Sequence, residues 1–390
     1  MAGDGCGLGL SLGVNLGLLG FFKYFNFFVE SATDLGNLLG LQVNEHTLAI
    51  ILPVGISFYT FQTLSYTIDI YRGRLEATKS PLDFALFVAF FPQLVAGPIV
   101  RAVDFLPQLK SSRRFERVDV RAALLIFLFG FIKKTCVADH LSVAVDEIWQ
   151  NPASFSVGSH WLGALLYQVQ LYCDFSGYSE MAIGTAALLG YRLPINFAFP
   201  YFARSLAGVW RRWHITMTGW FRDYVYIALG GSRGGARRTL RNILLVFLVT
   251  GVWHGAAWTF VLFGLLQGVL VVLERLVLGS SEERLAWPFV LYANLVWVVS
   301  LVLFRAPSVP EAGSYYLGLV ASGGPATFAP AWLGLIVGFF LVHAWMRSGR
   351  LERGLRALEP VPFAIAFGAI VALVLPFAAG NVQPFIYFQF

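Results

Sequence analysis

His254 stands at the centre of Thr250-Gly-Val-Trp-His-Gly-Ala-Ala-Trp258, inside a stretch of thirty-two residues, Asn242 to Leu273, that holds no Asp, Glu, Lys or Arg. It is the only side chain there that ordinarily titrates near neutrality, at a pKa of about 6.5. A neutral imidazole can take a proton from a hydroxyl or thiol and later return it, which is general-base chemistry. Ionisable residues at membrane depth are costly and mark functional sites by default. The competing reading is a histidine that bonds two helices together. A second constellation precedes it, Trp210-Arg-Arg-Trp-His214 followed by Trp220-Phe-Arg-Asp-Tyr-Val-Tyr226. On a continuous helix Trp210, Trp213 and His214 share one face. Arg211, Arg212, Arg222 and Arg233 offer the planar forks that phosphates match. That combination reads as a cytoplasmic mouth for an anionic, phosphate-bearing donor. It also reads as an interfacial amphipathic helix, with tryptophans at headgroup depth and arginines on anionic lipid. Gly230 to Gly235 could bring backbone amides to an anion, or form a flexible loop. Asp174 and Glu180, with Gln168, Tyr172 and Tyr178, punctuate an apolar stretch. Their roles are either hydrogen bonding between helices or lining a tunnel and orienting His254.

These groups need a scaffold, and composition limits what it can be. The 390 residues are 57% hydrophobic and 13% charged, with a mean hydropathy of +0.68; soluble domains carry about 25% charged residues. This is an all-α polytopic membrane protein with a single integral membrane domain. The net charge of +6 belongs to loops beside apolar spans and not to nucleic-acid binding. Cys6, Cys136 and Cys173 show no metal-binding or disulfide spacing, and no cleavable leader is evident. A span needs roughly 20 residues, so the run around His254 is too long for one and too short for two. It predicts two helices meeting at a break near Gly255, buried in protein or lining a wet cavity.

Further spans are expected at about Leu10–Val29, Leu48–Ile68, Phe84–Val100, Ala122–Val137, Trp161–Leu189, Pro288–Phe304, Trp332–Trp345 and Val361–Ala379. Phe90 to Pro98 predicts a kinked or re-entrant element. Asp139, His140, Asp146, Glu147 and His160 predict a polar loop. Arg204 to Arg241 contains eight arginines, one Asp and no Lys. With Arg101–Arg121 and Arg347–Arg356 it predicts three cytoplasmic loops and an extracytoplasmic C-terminus, by the positive-inside rule.

The motifs together resemble a family. Trp210-Arg-Arg-Trp-His214, Trp220 to Tyr226, Leu229-Gly-Gly231 and Val252-Trp-His-Gly-Ala-Ala-Trp258 are similar to the membrane-bound O-acyltransferases (MBOAT). Phe91 to Ile99, Tyr172-Cys-Asp-Phe-Ser-Gly-Tyr178 and Phe385 to Phe390 resemble the bacterial branch, with the alginate O-acetylation proteins most similar. The resemblance implies a ring of about 9–11 transmembrane or re-entrant helices around a central tunnel. It places the family's signature histidine on His254 and its second histidine on His214, both catalytic. It makes Trp210, Arg211, Arg212, Trp213, Arg222, Asp223, Tyr226, Trp253, Trp258, Asp174 and Tyr178 candidate donor-binding or tunnel residues. Bacterial relatives usually carry further spans before the segment matching Leu10 to Val29, so the resemblance implies either a misplaced start, with two or three further spans encoded in frame upstream, or a truncated protein; Ala228 stands where relatives often have proline.

The implied reaction moves an acetyl group from acetyl-CoA, a substrate and not a bound cofactor, across a bacterial inner membrane. A separate extracytoplasmic acetyltransferase would pass it to a polysaccharide such as alginate. No metal is expected. Alternatives are another cargo such as D-alanyl, peptidoglycan or cellulose acetylation, and a transporter. The transporter reading is disfavoured by the lack of an inverted repeat.

Overall fold

Long apolar runs in a chain with no water to satisfy its amides must close their hydrogen bonds internally, which favours helices. The computed structural model describes residues 5–44, 47–94, 97–279, 286–327 and 331–378, with Gln383 and Phe385. Among these residues it is helical, with only isolated bridges at Phe155–Ala326 and Ser156–Gly323 in place of strands. Helix α1 (Gly5–Leu19) runs through a π-helical turn, Gly20–Tyr24, into α2 (Phe25–Leu38). Then come α3 (Ile56–Tyr71), α4 (Pro81–Ala89) and α5 (Ala102–Leu109). α6 (Val120–Phe131) passes through a π segment, Ile132–Ala138, into α7 (Asp139–Gln150). α8 (Val157–Leu188) is 32 residues long and buried along most of its length. Two short helices follow, α9 (Leu206–Arg212) and α10 (Ile215–Phe221), the latter continued by a π turn, Arg222–Tyr226. The rest are α11 (Ala236–His254), α12 (Trp258–Val277), α13 (Phe289–Arg305), α14 (Val309–Gly318), α15 (Ala331–Arg347), α16 (Arg350–Arg356) and α17 (Pro360–Ala378).

Helices 5–38, 258–277 and 360–378 are long and apolar enough to cross a membrane; α15 and α16, bent by 60°, pass the same test only as a pair, as a broken span or a re-entrant loop. Leu10, Phe28, Leu291, Leu341, Ile365 and Leu373 project from the bundle, each at least 64% exposed, as side chains facing lipid do. This is an all-α membrane protein.

Close backbone approach sets the main crossings. A Cβ on Gly177 would fall 2.6 Å from Gly130 O, and one on Gly184 would fall 2.8 Å from Ala123 O. Small residues therefore let α6 and its π extension lie directly on α8. α11 and α12 use the same device: a Cβ on Gly251 would sit 2.4 Å from Phe260 O, and one on Gly264 would sit 2.4 Å from Phe247 O. The break between them falls where the sequence placed it. α11 stops at His254, and Gly255 is extended (φ −161°, ψ 156°).

Three expectations change. Asp139, His140, Asp146 and Glu147 lie on α7 and His160 on α8, not in a loop. Their helix continues because Asp146 pairs with Arg305 at 2.6 Å and Asp139 with Lys134 at 2.6 Å, so the charges are satisfied in place. The Trp210–Tyr226 stretch is not an interfacial helix: Trp213 is extended, and the rings of Trp210, Trp213 and Trp220 are each 5% exposed or less. After α4, residues 91–94 form a turn and 97–101 are neither helix nor strand, so the proline-rich stretch is an irregular connection; residues 95 and 96 lie outside those described, as does Phe390.

Candidate active site

His214 occupies the turn between α9 and α10, in a left-handed backbone conformation (φ 44°, ψ 53°). For a non-glycine residue that costs about 1–3 kcal/mol and persists only where the surroundings over-determine it. Asn196 does so. Its backbone carbonyl accepts from Ile215 N at 2.9 Å, and its Oδ1 accepts from Thr216 Oγ1 at 3.0 Å. Asn196 Nδ2 in turn donates to Ser179 Oγ on α8 at 3.1 Å. Ala198 N donates to Arg212 O at 2.9 Å and completes the clamp. The side chain this turn delivers is fully buried. Neither of its ring nitrogens has a hydrogen-bond partner among the described residues, in an interior where such groups are ordinarily satisfied.

Trp253 joins the two histidines. Its ring centroid lies 5.9 Å from that of His214 and 5.2 Å from that of His254. Phe61 stacks on it at 5.0 Å and on Trp220 at 4.0 Å, making a ladder from α10 through α3 to the end of α11. Trp220 Nε1 donates to Phe61 O at 3.0 Å and fixes the lower rung. The Trp253 indole N–H is buried and meets no acceptor among the described residues. Phe175 of α8 closes on His214 at 4.6 Å, and Phe304 of α13 closes on His254 at 5.1 Å. His254 is 4% exposed. The result is a buried aromatic cluster with two imidazoles and one indole N–H inside it.

Other sequence candidates divide cleanly. Trp210 anchors α9, donating to Gln267 Oε1 at 3.0 Å, and its ring lies 5.3 Å from Phe247. Trp213 packs on Trp297 at 5.3 Å and Phe197 at 5.0 Å, and the Trp210 ring lies 5.4 Å from the same Trp297. Glu274 of α12 accepts from Leu206 N at 2.8 Å and Ala207 N at 3.2 Å, capping α9. Arg211 is exposed, and Arg212 gives one N–H to Gly208 O at 2.9 Å.

At the basic rim, Asp223 binds Arg222 (Nε to Oδ1, 2.7 Å) and Arg101 (2.6 Å). This rim lies outside the spanning helices. Burial pushes the Asp223 carboxyl up, but the hydrogen bonds and charges of Arg222 and Arg101 outweigh it and hold the group below its ordinary value. Arg72 donates to Asp223 O at 3.1 Å, and both Arg72 and Arg101 lie 5.4 Å from the Tyr224 ring. Sequence reasoning missed Arg72 and Arg101, which come from distant segments; only their places at the ends of apolar runs hinted at them. Tyr226 is half-buried beside Gly231, and Asn242 Nδ2 pins that turn through Leu229 O at 3.1 Å and Gly231 O at 2.9 Å.

Two candidates fall away from the cluster. Trp258 is 55% exposed, with Nε1 donating to Ser31 Oγ at 3.1 Å and its ring 5.6 Å from Phe27. Asp174 binds Lys134 Nζ at 2.5 Å and so ties α8 to the π segment after α6. Glu180 pairs with Lys133 in the same interface. Tyr178 is half-buried, its ring 5.2 Å from Phe385. No cluster of metal-ligating side chains occurs among the described residues.

A family model described as MBOAT, membrane-bound O-acyltransferase family, matches residues 75–316. A probable alginate O-acetylase AlgI of Pseudomonas putida is 38% identical over 417 residues, covering 98% of this chain and 84% of that protein. A probable alginate O-acetylase AlgI of Pseudomonas aeruginosa is 42% identical over 320 residues, covering 80% of this chain and 60% of that protein. A peptidoglycan O-acetyltransferase of Helicobacter pylori is 38% identical over 349 residues, covering 81% of this chain and 64% of that protein.

Proposed function

The chain belongs to the membrane-bound O-acyltransferase family, and from that premise we propose that it transfers an acetyl group from cytoplasmic acetyl-CoA across the membrane for O-acetylation of an extracytoplasmic polysaccharide. The acyltransferase class follows from the family and its relatives. The donor, the direction and the cargo are our proposal. It is supported by the alginate O-acetylases, which align with most of this chain.

One observation carries the assignment of the site: a fully buried His214 whose ring nitrogens have no partner among the described residues, across Trp253 from His254. A folded interior satisfies buried polar groups unless a ligand does so. In this reading His254 is the general base. The imidazole takes the proton of an acceptor hydroxyl as that oxygen forms a bond to the thioester carbonyl carbon. The carbon–sulfur bond then breaks, and the imidazolium returns the proton to the departing thiolate. The Trp253 indole N–H and a ring N–H of His214 are the donors available to the carbonyl oxygen as negative charge develops on it. The aromatic walls exclude water, which strengthens those bonds and protects the thioester from hydrolysis. Arg211 and the rim around Arg222 receive the phosphates of the donor. The acetylated acceptor passes the group to an extracytoplasmic transferase and its polysaccharide.

Inside-out vesicles given labelled acetyl-CoA test this directly. Label should reach an extracytoplasmic acceptor with wild-type protein and not with His254→Ala. Transfer by a well-inserted His254→Ala protein would overturn the assignment.

A further inference from the structure

Helix α11 ends at His254, and the last four carbonyls of a helix have no intrahelical partner. The usual solution is a left-handed glycine just past the end. Gly255 is in the right place but extended (φ −161°, ψ 156°), so that cap does not form. Two consecutive residues from the other end of the chain replace it. Tyr24 Oη donates to Val252 O at 2.8 Å. Lys23 Nζ donates to Trp253 O at 2.5 Å and to His254 O at 3.3 Å, across 230 positions of sequence. Lys23 Nζ also donates to Ser57 Oγ at 3.3 Å and lies 5.7 Å from the Trp253 ring centroid. An ammonium has three N–H donors, and Lys23 has three acceptors around it.

Both residues sit on the π turn Gly20–Tyr24. Such single-turn π segments are rare and concentrate at functional sites. A lysine at membrane depth is expensive, and a helix end that needed only capping could be served by the glycine already present. The rings of Trp253, Phe263 of α12 and Phe304 of α13 pack on His254. His214 lies on the other side of Trp253, its ring centroid 5.9 Å from the indole.

We infer that Lys23 is a positioning residue for the base: with Tyr24, it clamps the terminal carbonyls of α11 and so fixes the backbone, and hence the imidazole, of His254. This rests on reading His254 as the general base. A misplacement of 1 Å at a reacting group can cost about a hundredfold in rate, and the clamp acts on the very peptide units that carry the ring. Lys23 touches no reacting atom in this scheme.

The test uses full-length protein reconstituted in liposomes, with Lys23→Met, Lys23→Arg and His254→Gln in parallel, normalised to the monodisperse folded fraction. Lys23→Met should lower kcat at least tenfold while the acetyl-CoA KM stays within twofold. Its solvent deuterium isotope effect on kcat should rise above that of wild type, because proton transfer then limits turnover. Lys23→Arg, which keeps a cation and its donors, should recover at least fivefold of the lost kcat. Wild-type kcat in Lys23→Met overturns the inference. So does a loss of kcat with an unchanged isotope effect, or one that arginine does not relieve, since either marks Lys23 as a packing group alone. Activity in His254→Gln overturns the underlying reading of the base instead, so the two failures are distinct.

Discussion

At the scale of single residues, the cluster concentrates unusual features on three neighbours. His214 pays backbone strain to reach its position, Trp253 buries an N–H with no acceptor among the described residues, and His254 ends a helix that no glycine caps. Removing a general base typically costs about 10² to 10⁴ in rate, so His254→Ala should abolish label transfer while insertion stays normal. His214→Phe keeps a ring of the right shape and removes both nitrogens. If His214 serves only packing, that variant transfers label at the wild-type rate; the expected result is a fall of at least tenfold at equal folded yield. The rim gives a finer test. Arg211→Lys with Arg212→Lys preserves net charge but removes the planar fork, and should raise the acetyl-CoA KM several-fold. Unchanged kinetics in the double variant would move donor binding towards Arg72, Arg101 and Arg222.

At the scale of elements, the site depends on two helices that turn back on each other at Gly255. Their crossing needs bare backbone at Gly251 and Gly264, where any Cβ would meet a carbonyl oxygen at 2.4 Å. Backbone cannot give way as a flexible side chain can, and overpacking of this kind costs about 1–3 kcal/mol or more. Gly264→Leu should therefore lower the thermal midpoint measured by fluorescence-detected size exclusion in detergent by several degrees. The same substitution at Gly338, where a Cβ meets nothing within 4 Å, should not. Equal midpoints for the two variants would show that the crossing is looser than described. The α6–α8 interface adds an electrostatic tie. Lys134 bridges Asp139 at 2.6 Å and Asp174 at 2.5 Å, and removing one partner of a buried pair typically costs about 3–5 kcal/mol.

At the scale of the whole molecule, the distribution of arginines predicts an orientation. Basic side chains cluster in the connection between α5 and α6, around the turn between α10 and α11 with the first turns of α11, and from the end of α15 through α16. Positive charge in short loops marks the cytoplasmic side. With Cys6, Cys136 and Cys173 first replaced, an impermeant thiol reagent should label Ser232→Cys and Ser348→Cys from the cytoplasmic face only. Labelling of the two from opposite faces would refute the shared orientation, and with it the direction of transfer.

The amino-acid sequence alone determined whatever depends on local composition. Apolar runs bounded by arginines required a helical membrane protein, and a charge-free stretch of the wrong length around His254 required a broken helix pair, which α11 and α12 are. The motif histidines were legible because aromatic and glycine neighbours mark them along the chain. Tertiary structure decided what each candidate touches. Trp210, Trp213 and His214 looked like one helical face, but a left-handed turn at His214 separates them, and only the Asn196 clamp from elsewhere in the chain makes that turn affordable. Trp258 carries the same motif as Trp253 yet faces outward to Ser31, because Gly255 and Ala257 are both extended and reorient the chain between the two tryptophans. Asp174 found Lys134, and Lys23, which in sequence merely interrupts an apolar run, found the carbonyls of Trp253 and His254. A buried polar group must be satisfied, and sequence shows that need; which distant group meets it is set by helix packing, which periodicity along one segment does not encode.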